Sequence, residues 1–599
     1  MFAHDGFGGS SVTNYATNGT LSEVASQYGT FGNFSYAVDT QYQHEDGTRP
    51  NNQLSLLETY AQVKYQATPQ DTVFFQTKYE DEYSGDLFQT YNQNAIASNT
   101  SDLTLNFHEK QIPALLLAGW HHEWSPENHT LFLIGRLENQ QEQSALATTQ
   151  AIVSRNVSSF TTGLPATPAD FALPFSDPAI ISELQTLVGK GAIERINTTP
   201  LDSSYLASFQ TYTVELQQII SREKDTLIFG SRYQNGTFNT TDVLVNQDPG
   251  LAALFDSPAA GQNFAVNLQR ISLYAYNTWR PMPWLSFTGG VTYDSLQYPA
   301  DFRSLPINGQ QQSLDGWSPK AGFILQPFPG TVVRGAYMEA ISGADFDESV
   351  SLEPTEVDGF TQAFRSLDSE SLIGSVAGNQ YKLWGVSIEQ KLPTRTYLGI
   401  GYDDRRQSLN RALGVFDFLD SQGNYPNAIL PSSLAVQDQY HEQVISATIN
   451  QLLSDDWSLG AVYSYTTSTF DEQVPALQAA ALTAAPADVA GLEQNAATHE
   501  VSGLHELSLS ALFNHPSGFF FKVEGNWYMQ NNGGSISPEP GDSFWQFNVY
   551  GGYRFYRNQC EVSCGLLNLT SKDYQLSPLT PSEELPRQFT LAVRIKLSL

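Results

Sequence analysis

From residue 587 to the C-terminus every second position is apolar. Phe589, Leu591, Val593, Ile595, Leu597 and Leu599 fall on one face of an extended chain, and Gln588, Thr590, Ala592, Arg594, Lys596 and Ser598 on the other. A strand that is greasy on one side and cationic on the other suits a wall between lipid and a wet lumen. The pattern recurs. Residues 543–556 set Trp545, Phe547, Val549, Tyr553 and Phe555 against Gln546, Asn548 and Arg554. Residues 519–530 set Phe519, Phe521, Val523, Trp527 and Met529 against Lys522, Glu524, Asn526 and Gln530. Further upstream, Val73, Phe75 and Tyr79 alternate with Gln76, Lys78 and Glu80, and Leu285, Phe287, Val291 and Tyr293 alternate with Ser286, Thr288, Thr292 and Asp294. Many apolar rows end in Tyr, Phe or Trp, as interfacial girdles require.

The connections alternate in length. Short links fall at 67–71, 125–129, 222–225, 280–283, 326–330, 391–395, 453–456, 514–518 and 556–558. Long polar stretches lie between them, near 43–52, 85–104, 146–204, 242–262, 298–313, 346–377, 410–433, 473–502, 532–542 and 573–586. This sorting predicts an all-β fold: a closed antiparallel transmembrane β-barrel of about 20 strands (range roughly 18–22), with short turns at one end and long loops at the other. A soluble sandwich has no reason to sort its connections by length. Residues 30–599 form the expected barrel, closed by pairing 30–42 with 587–599. Residues 1–29, rich in Gly, Ser, Thr and Asn without periodicity, form a flexible lead-in.

Composition supports this reading. The chain is 12% aromatic but only 15% charged, against roughly 25% charged in soluble domains. A barrel needs only every second strand residue to be apolar, so its mean hydropathy of −0.29 is unremarkable. The net charge of −32 excludes nucleic acid, which needs a basic surface. Two cysteines in 599 residues exclude a disulfide scaffold. Cys560 and Cys564 lie on one strand face, too far apart to bond.

Local helices are expected inside two loops, at 179–188 after Asp177-Pro178, and at 475–485 and 486–496. The apolar stripe of the first, Ile180, Ile181, Leu184, Leu187 and Val188, either stabilises its loop or packs on the mouth as a lid.

Two stretches resemble the barrels of TonB-dependent receptors, and similar barrels attached to tetratricopeptide-repeat outer-membrane proteins. One is 330–402, reading GTVVRGAYMEAISGADFDES…SLEPTEVDGF…QYKLWGVSIEQKL…TYLGIGYDD; the other is 552–599, with GYRF, GLLNLTSKDYQL and ELPRQFTLAVRIKL. The resemblance implies an integral outer-membrane transport channel or receptor in a Gram-negative bacterium, bathed in lipid and lipopolysaccharide, with specificity in the outer loops. The family's N-terminal plug has no counterpart in this chain, so a plug, repeat domain or lumen protein is expected from another chain or an upstream segment. A passive diffusion or export pore, or a scaffold holding another protein, are the alternatives.

No catalytic constellation is evident, and no cofactor is implied. None of the His-Glu pairs, at His108, His122, His441, His499 and His505, forms the H-E-x-x-H spacing; His499 and His505 with their glutamates are the one metal candidate. The lumen wall is expected to carry Lys522, Glu524, Asn548, Arg554, Arg594, Lys596, Asp403 and Arg405. An acidic outer loop, Asp345, Asp347, Glu348, Glu353, Glu356 and Asp358, reads either as solvated charge or as an oxygen-rich site for a hard cation.

Overall fold

The computed structural model describes residues 5–87, 102–160, 178–246, 261–343, 351–362, 377–422, 428–534, 541–582 and 585–598. Twenty-two strands form one sheet in which each neighbouring pair along the chain is antiparallel. The sheet closes because the first strand, Gly6–Ala16, pairs with the last, Thr590–Ser598, from Ser10↔Ser598 to Ala16↔Ala592. Closure leaves no unpaired edge, which is what lets a sheet cross hydrocarbon.

Closure also corrects the N-terminal expectation. Residues 30–42 do not meet the C-terminus. Two further strands, Gly6–Ala16 and Leu21–Phe31, intervene where a flexible lead-in was expected. Register explains why they escape a hydrophobic pattern. Ile595 stands opposite Thr13, and Thr13 opposite Glu23, so the lipid-side row of these strands runs through Ser11, Thr13, Glu23, Ala25 and Gln27. The Glu23 carboxylate is held by the Ser11 hydroxyl at 2.6 Å and by Thr13. Glu23 lies two residues from the long-loop end of its strand, where water is close.

Elsewhere the two faces separate as pleating dictates. Trp545, Phe547, Phe521 and Val523 are exposed on the outside, while Phe520, Gln530, Phe544 and Gln546, the intervening positions, are buried inside. Trp527, Val549, Leu591 and Val593 share the outer rows through the pairs Trp527↔Trp545, Val523↔Val549 and Cys564↔Val593.

Strand length varies around the wall. Ser543–Phe555 and Leu21–Phe31 are 13 and 11 residues long, close to the roughly 9–11 a membrane crossing needs. Asn128–Asn156 and Ala192–Ser221 run for 29 and 30, and Thr396–Asp420 and Ala428–Leu452 for 25 each. Much of the expected 146–204 and 410–433 loops is therefore strand that continues beyond the membrane. These extensions lean inward and meet: Phe416–Asp420 pairs in parallel with Ile152–Asn156, although seven other strands separate the two around the barrel. The result is a roof across the long-loop mouth.

The lumen and the segments that enter it

Between strands Thr331–Ile341 and Gln380–Lys391, residues 351–362 lie inside the barrel. Their tip is a miniature hairpin, Glu356–Val357 paired with Phe360–Thr361. Asp358 and Gly359 make the turn at φ 48° and 94°, the Asp-Gly combination that favours a two-residue turn with both φ positive. Val357 and Phe360 bury their side chains among Tyr274, Tyr276, Met338, Tyr381 and Leu383 of the inner wall. Two wall glycines make room. A Cβ at Gly385 would sit 2.3 Å from the Phe360 ring, and one at Gly322 would sit 2.5 Å from the Asp358 carboxylate.

Polar bonds fix the depth of insertion. The Glu353 carboxylate receives Lys320 Nζ at 3.0 Å, the Tyr276 hydroxyl at 2.6 Å and the Thr292 hydroxyl at 2.5 Å. Above it, Leu352 N–H donates to Glu215 at 2.9 Å, and Gln217 donates to the Leu352 carbonyl at 2.5 Å. Glu215 is fully buried and also accepts from Tyr274 at 2.7 Å. At the tip Thr288 donates to Asp358 at 3.0 Å. Thr288 is the fourth residue of Leu285–Pro299 from the short-turn end, so the hairpin reaches nearly through the wall's full height. A cavity of about 720 Å³ lies beside it, lined by Arg280, Trp284, Arg334, Glu356 and Asp358 among others.

A second stretch, 568–582 with 585–589, enters on the opposite arc. Tyr574 and Leu576 pack on Leu504 and Phe544, with Phe544 and Tyr574 stacked at 4.9 Å. Gln530 donates to Thr580 at 2.7 Å and to the Ser577 carbonyl at 3.0 Å. The Tyr440 hydroxyl donates to the Leu579 carbonyl at 3.1 Å.

The roof is apolar around a buried ion pair. Arg155 donates to Asp417 at 2.7 Å, and Asp417 also accepts Gly189 N–H at 2.7 Å. Val415, Phe416 and Leu419 are fully buried beside it. Helix Pro178–Leu187 adds Leu184 and Leu187. Helices Pro475–Ala481 and Val489–Ala496 add Leu477, Ala480, Leu492 and Ala496, packed on Val153, Ile193, Val415, Leu434 and Val436. The expected loop helices therefore form and pack at the mouth.

The wall residues singled out from sequence are placed on the same face as these segments. Lys522 pairs with Glu524. Arg554 bonds Glu561 at 2.8 Å and Asn514 at 2.9 Å. Asn548 accepts Asn568 N–H at 2.9 Å. Lys596 stands opposite Glu561, and Arg594 opposite Ser563 and Asn14. Arg405 bridges Asp403 at 3.1 Å and the buried Glu442 at 2.8 Å. Of the acidic run, Asp345, Asp347 and Glu348 lie outside the described residues. Glu353 is bound to Lys320 and Asp358 to Thr288, so these two serve to anchor the hairpin. Sequence reasoning missed Lys320, Tyr276, Glu215 and Gln217; only the Asp358-Gly359 turn signal was there to be read.

The histidine candidate fails on geometry. His499 and His505 share one strand face six residues apart, about 20 Å in an extended chain, on the outer side. His499 bonds Asp471 at 2.6 Å, and His505 accepts or donates to the Tyr463 hydroxyl at 2.9 Å. Their glutamates point to the other face. Among the described residues no group of three His, Cys, Asp or Glu side chains is placed to hold a metal ion, and Cys560 and Cys564 are free.

No family model matches this chain, and no curated protein matches it in sequence. Solved structures do match it in fold. The copper transporter OprC is 10% identical, with a TM-score of 0.60 over 100% of this chain and 81% of its own. The FrpB iron transporter from Neisseria meningitidis (F5-1 variant) is 10% identical, with 0.59 over 100% and 83%. The siderophore receptor PirA from Pseudomonas aeruginosa is 11% identical, with 0.53 over 100% and 81%. At such identities the likeness is one of fold: the chain is a 22-stranded barrel of the kind found in TonB-dependent receptors.

Proposed function

We propose that this chain is a transport barrel of a Gram-negative outer membrane, closed at rest by its own segments, in which the roof and outer loops select the cargo. The observation that carries the reading is the hairpin at 351–362, threaded to the short-turn end and bound to the wall through Glu353, Leu352 and Asp358. Barrels of 16–18 strands leave an aqueous channel, and 22-stranded transporters hold a plugged lumen. Here one loop supplies a plug. A constitutively open pore has no use for so many bonds across its path. The work of the chain is passage rather than catalysis. Displacing the hairpin calls for a force or ligand acting at one of the mouths, which is where a coupling partner of the TonB type would act.

The lumen also favours cations. Four carboxylates, Glu58, Glu80, Glu82 and Glu109, gather on the inner rows of neighbouring strands, with Lys78 between Glu58 at 3.0 Å and Glu80. A carboxylate-rich arc on a low-dielectric wall enriches counter-ions. The test is swelling of proteoliposomes carrying the full chain, in isosmotic salts and sugars. We expect slow swelling from the intact protein and faster swelling, in salts before sugars, when residues 344–376 are replaced by a short Gly/Ser link. Fast swelling from the intact chain would transfer the reading to a passive pore.

A further inference from the structure

At the short-turn mouth, on the inner wall and away from the hairpin, two imidazoles face each other. His121 lies near the end of Asn106–Ser125 and His129 near the start of Asn128–Asn156. His121 shares the inner face of its strand with Leu117, and His129 that of Leu133, both buried in the lumenal cluster. His121 Nε2 is 3.0 Å from His129 Nδ1, and the ring centroids are 5.2 Å apart with planes 24° from parallel.

The hydrogen bonds assign the protons. His129 Nε2 lies 3.2 Å from the Pro126 carbonyl, which can only accept, so this nitrogen carries hydrogen. In the neutral ring Nδ1 is then a bare lone pair, and the hydrogen between the rings belongs to His121. An imidazole whose outer N–H is tied to a backbone carbonyl, with its other lone pair fixed in direction, is the arrangement metal-binding histidines adopt.

The spacing suits an ion. Two nitrogens each about 2.0 Å from a shared metal, at an angle of about 90–110°, lie about 2.8–3.3 Å apart. The observed 3.0 Å falls within that range; with the centroids 5.2 Å apart the nitrogens meet head-on as in a hydrogen bond, so both rings tilt to turn their lone pairs onto the ion. Glu123 stands directly opposite His129 across the strand pair and two residues beyond His121 on the same face, adding negative charge beside the ion. We propose that His121 and His129 form a two-nitrogen site for a late first-row divalent cation such as Cu²⁺, completed by water. Imidazole ligands favour Cu, Ni and Zn over Mg and Ca. When the ion takes Nε2 of His121, that ring keeps its single hydrogen by carrying it on Nδ1, so binding to the neutral pair releases no net proton.

His122 provides the control. It points to the outer face and bonds Asp71 at 2.7 Å, so it sits beside the pair in sequence but not in space. The experiment is titration of the purified full-length barrel with Cu²⁺ alone, read by calorimetry and by electron paramagnetic resonance. The intact chain should bind one tight equivalent with hyperfine splitting from two nitrogens. His121→Gln and His129→Gln should each weaken that equivalent at least about 10-fold, whereas His122→Gln should leave it unchanged. Absence of a tight equivalent in the intact chain, or its survival in both variants, would overturn the assignment. Should a variant fail to fold, diethyl pyrocarbonate labelling of the intact chain with and without Cu²⁺ probes the same two rings. Protection of His121 and His129 supports the site, and protection of neither, or of His122 equally, refutes it.

Discussion

The deep hairpin and the roof both obstruct the lumen, but they are held by different forces. The hairpin buries few apolar side chains, chiefly Val357 and Phe360, and depends on Glu353–Lys320, Leu352–Glu215 and Asp358–Thr288. The roof rests on strand pairing and on a cluster of Val, Ile, Leu and Ala side chains from four strands and two helices, with the buried Arg155–Asp417 ion pair beside it. When the hairpin withdraws, its polar bonds are replaced by bonds to water or to a ligand at small net cost, whereas an apolar joint has to come apart as a unit. The hairpin is therefore the part suited to move, and the roof is the part suited to hold a shape that a cargo must fit.

The largest expected effect is at the hairpin clamp. Lys320→Met leaves Glu353 in place without its cation; breaking such a buried pair costs about 3–5 kcal/mol. Hydrogen exchange of residues 352–361 should accelerate strongly, and the double variant Lys320→Met/Glu353→Leu should recover part of the protection. Unchanged exchange in Lys320→Met would mean that the pair does not hold the hairpin.

Leu492→Ala addresses the roof. Leu492 is fully buried against the strand extensions, and a truncation of this kind costs about 2–5 kcal/mol where the site cannot collapse. Exchange should rise at 415–420 and stay constant at 352–361. A matching rise at both would show one cooperative plug and erase the distinction.

A third test separates the wall's faces. Val523 is exposed on the outside, and Glu524, its neighbour, faces the lumen beside Lys522. Val523→Arg places charge against lipid near the middle of its crossing, at a cost of about 2–4 kcal/mol. Glu524→Arg should change unfolding in lipid much less and should shift ion preference toward anions. Equal destabilisation would contradict the face assignment.

The smallest effect concerns pH at the loop 300–310 under the roof. Burial pushes Asp301 up to about 8 from its ordinary 3.8, with only the N–H groups of Arg303 and Ser304 and the charge of Arg411 opposing that. A carboxyl raised on folding contributes most while protonated, so its contribution is complete below about 4 and is lost as pH rises to about 8. Protection in 300–310, taken relative to the intrinsic exchange rate at each pH, should be lower at pH 9 than at pH 6, and Asp301→Asn should flatten that dependence. A pH profile identical in the two proteins would exclude Asp301 as its source.

Legibility in the sequence follows the same division. Strands such as Ser543–Phe555 and Thr590–Ser598 were readable because lipid on one side and water on the other impose strict alternation. Gly6–Ala16 and Leu21–Phe31 were not, since Ser11, Thr13, Glu23 and Gln27 occupy the outer rows. The extensions 146–156 and 410–420 read as loops because both their faces meet protein or water above the membrane, so polarity carries no period there. The hairpin was hidden for a different reason. Its polar residues resemble those of a solvated loop, and nothing local reveals that Lys320, Tyr276 and Glu215 lie in wait for them on strands distant in sequence.

Single-channel recording in a planar bilayer tests most directly whether the chain plugs itself. The intact barrel should show a closed baseline with rare, small, cation-selective openings. Replacing 351–362 with a Gly/Ser link, while keeping the roof, should give a steady conductance several-fold larger with the same cation preference. Equal conductance before and after the replacement would contradict the claim that this hairpin closes the lumen.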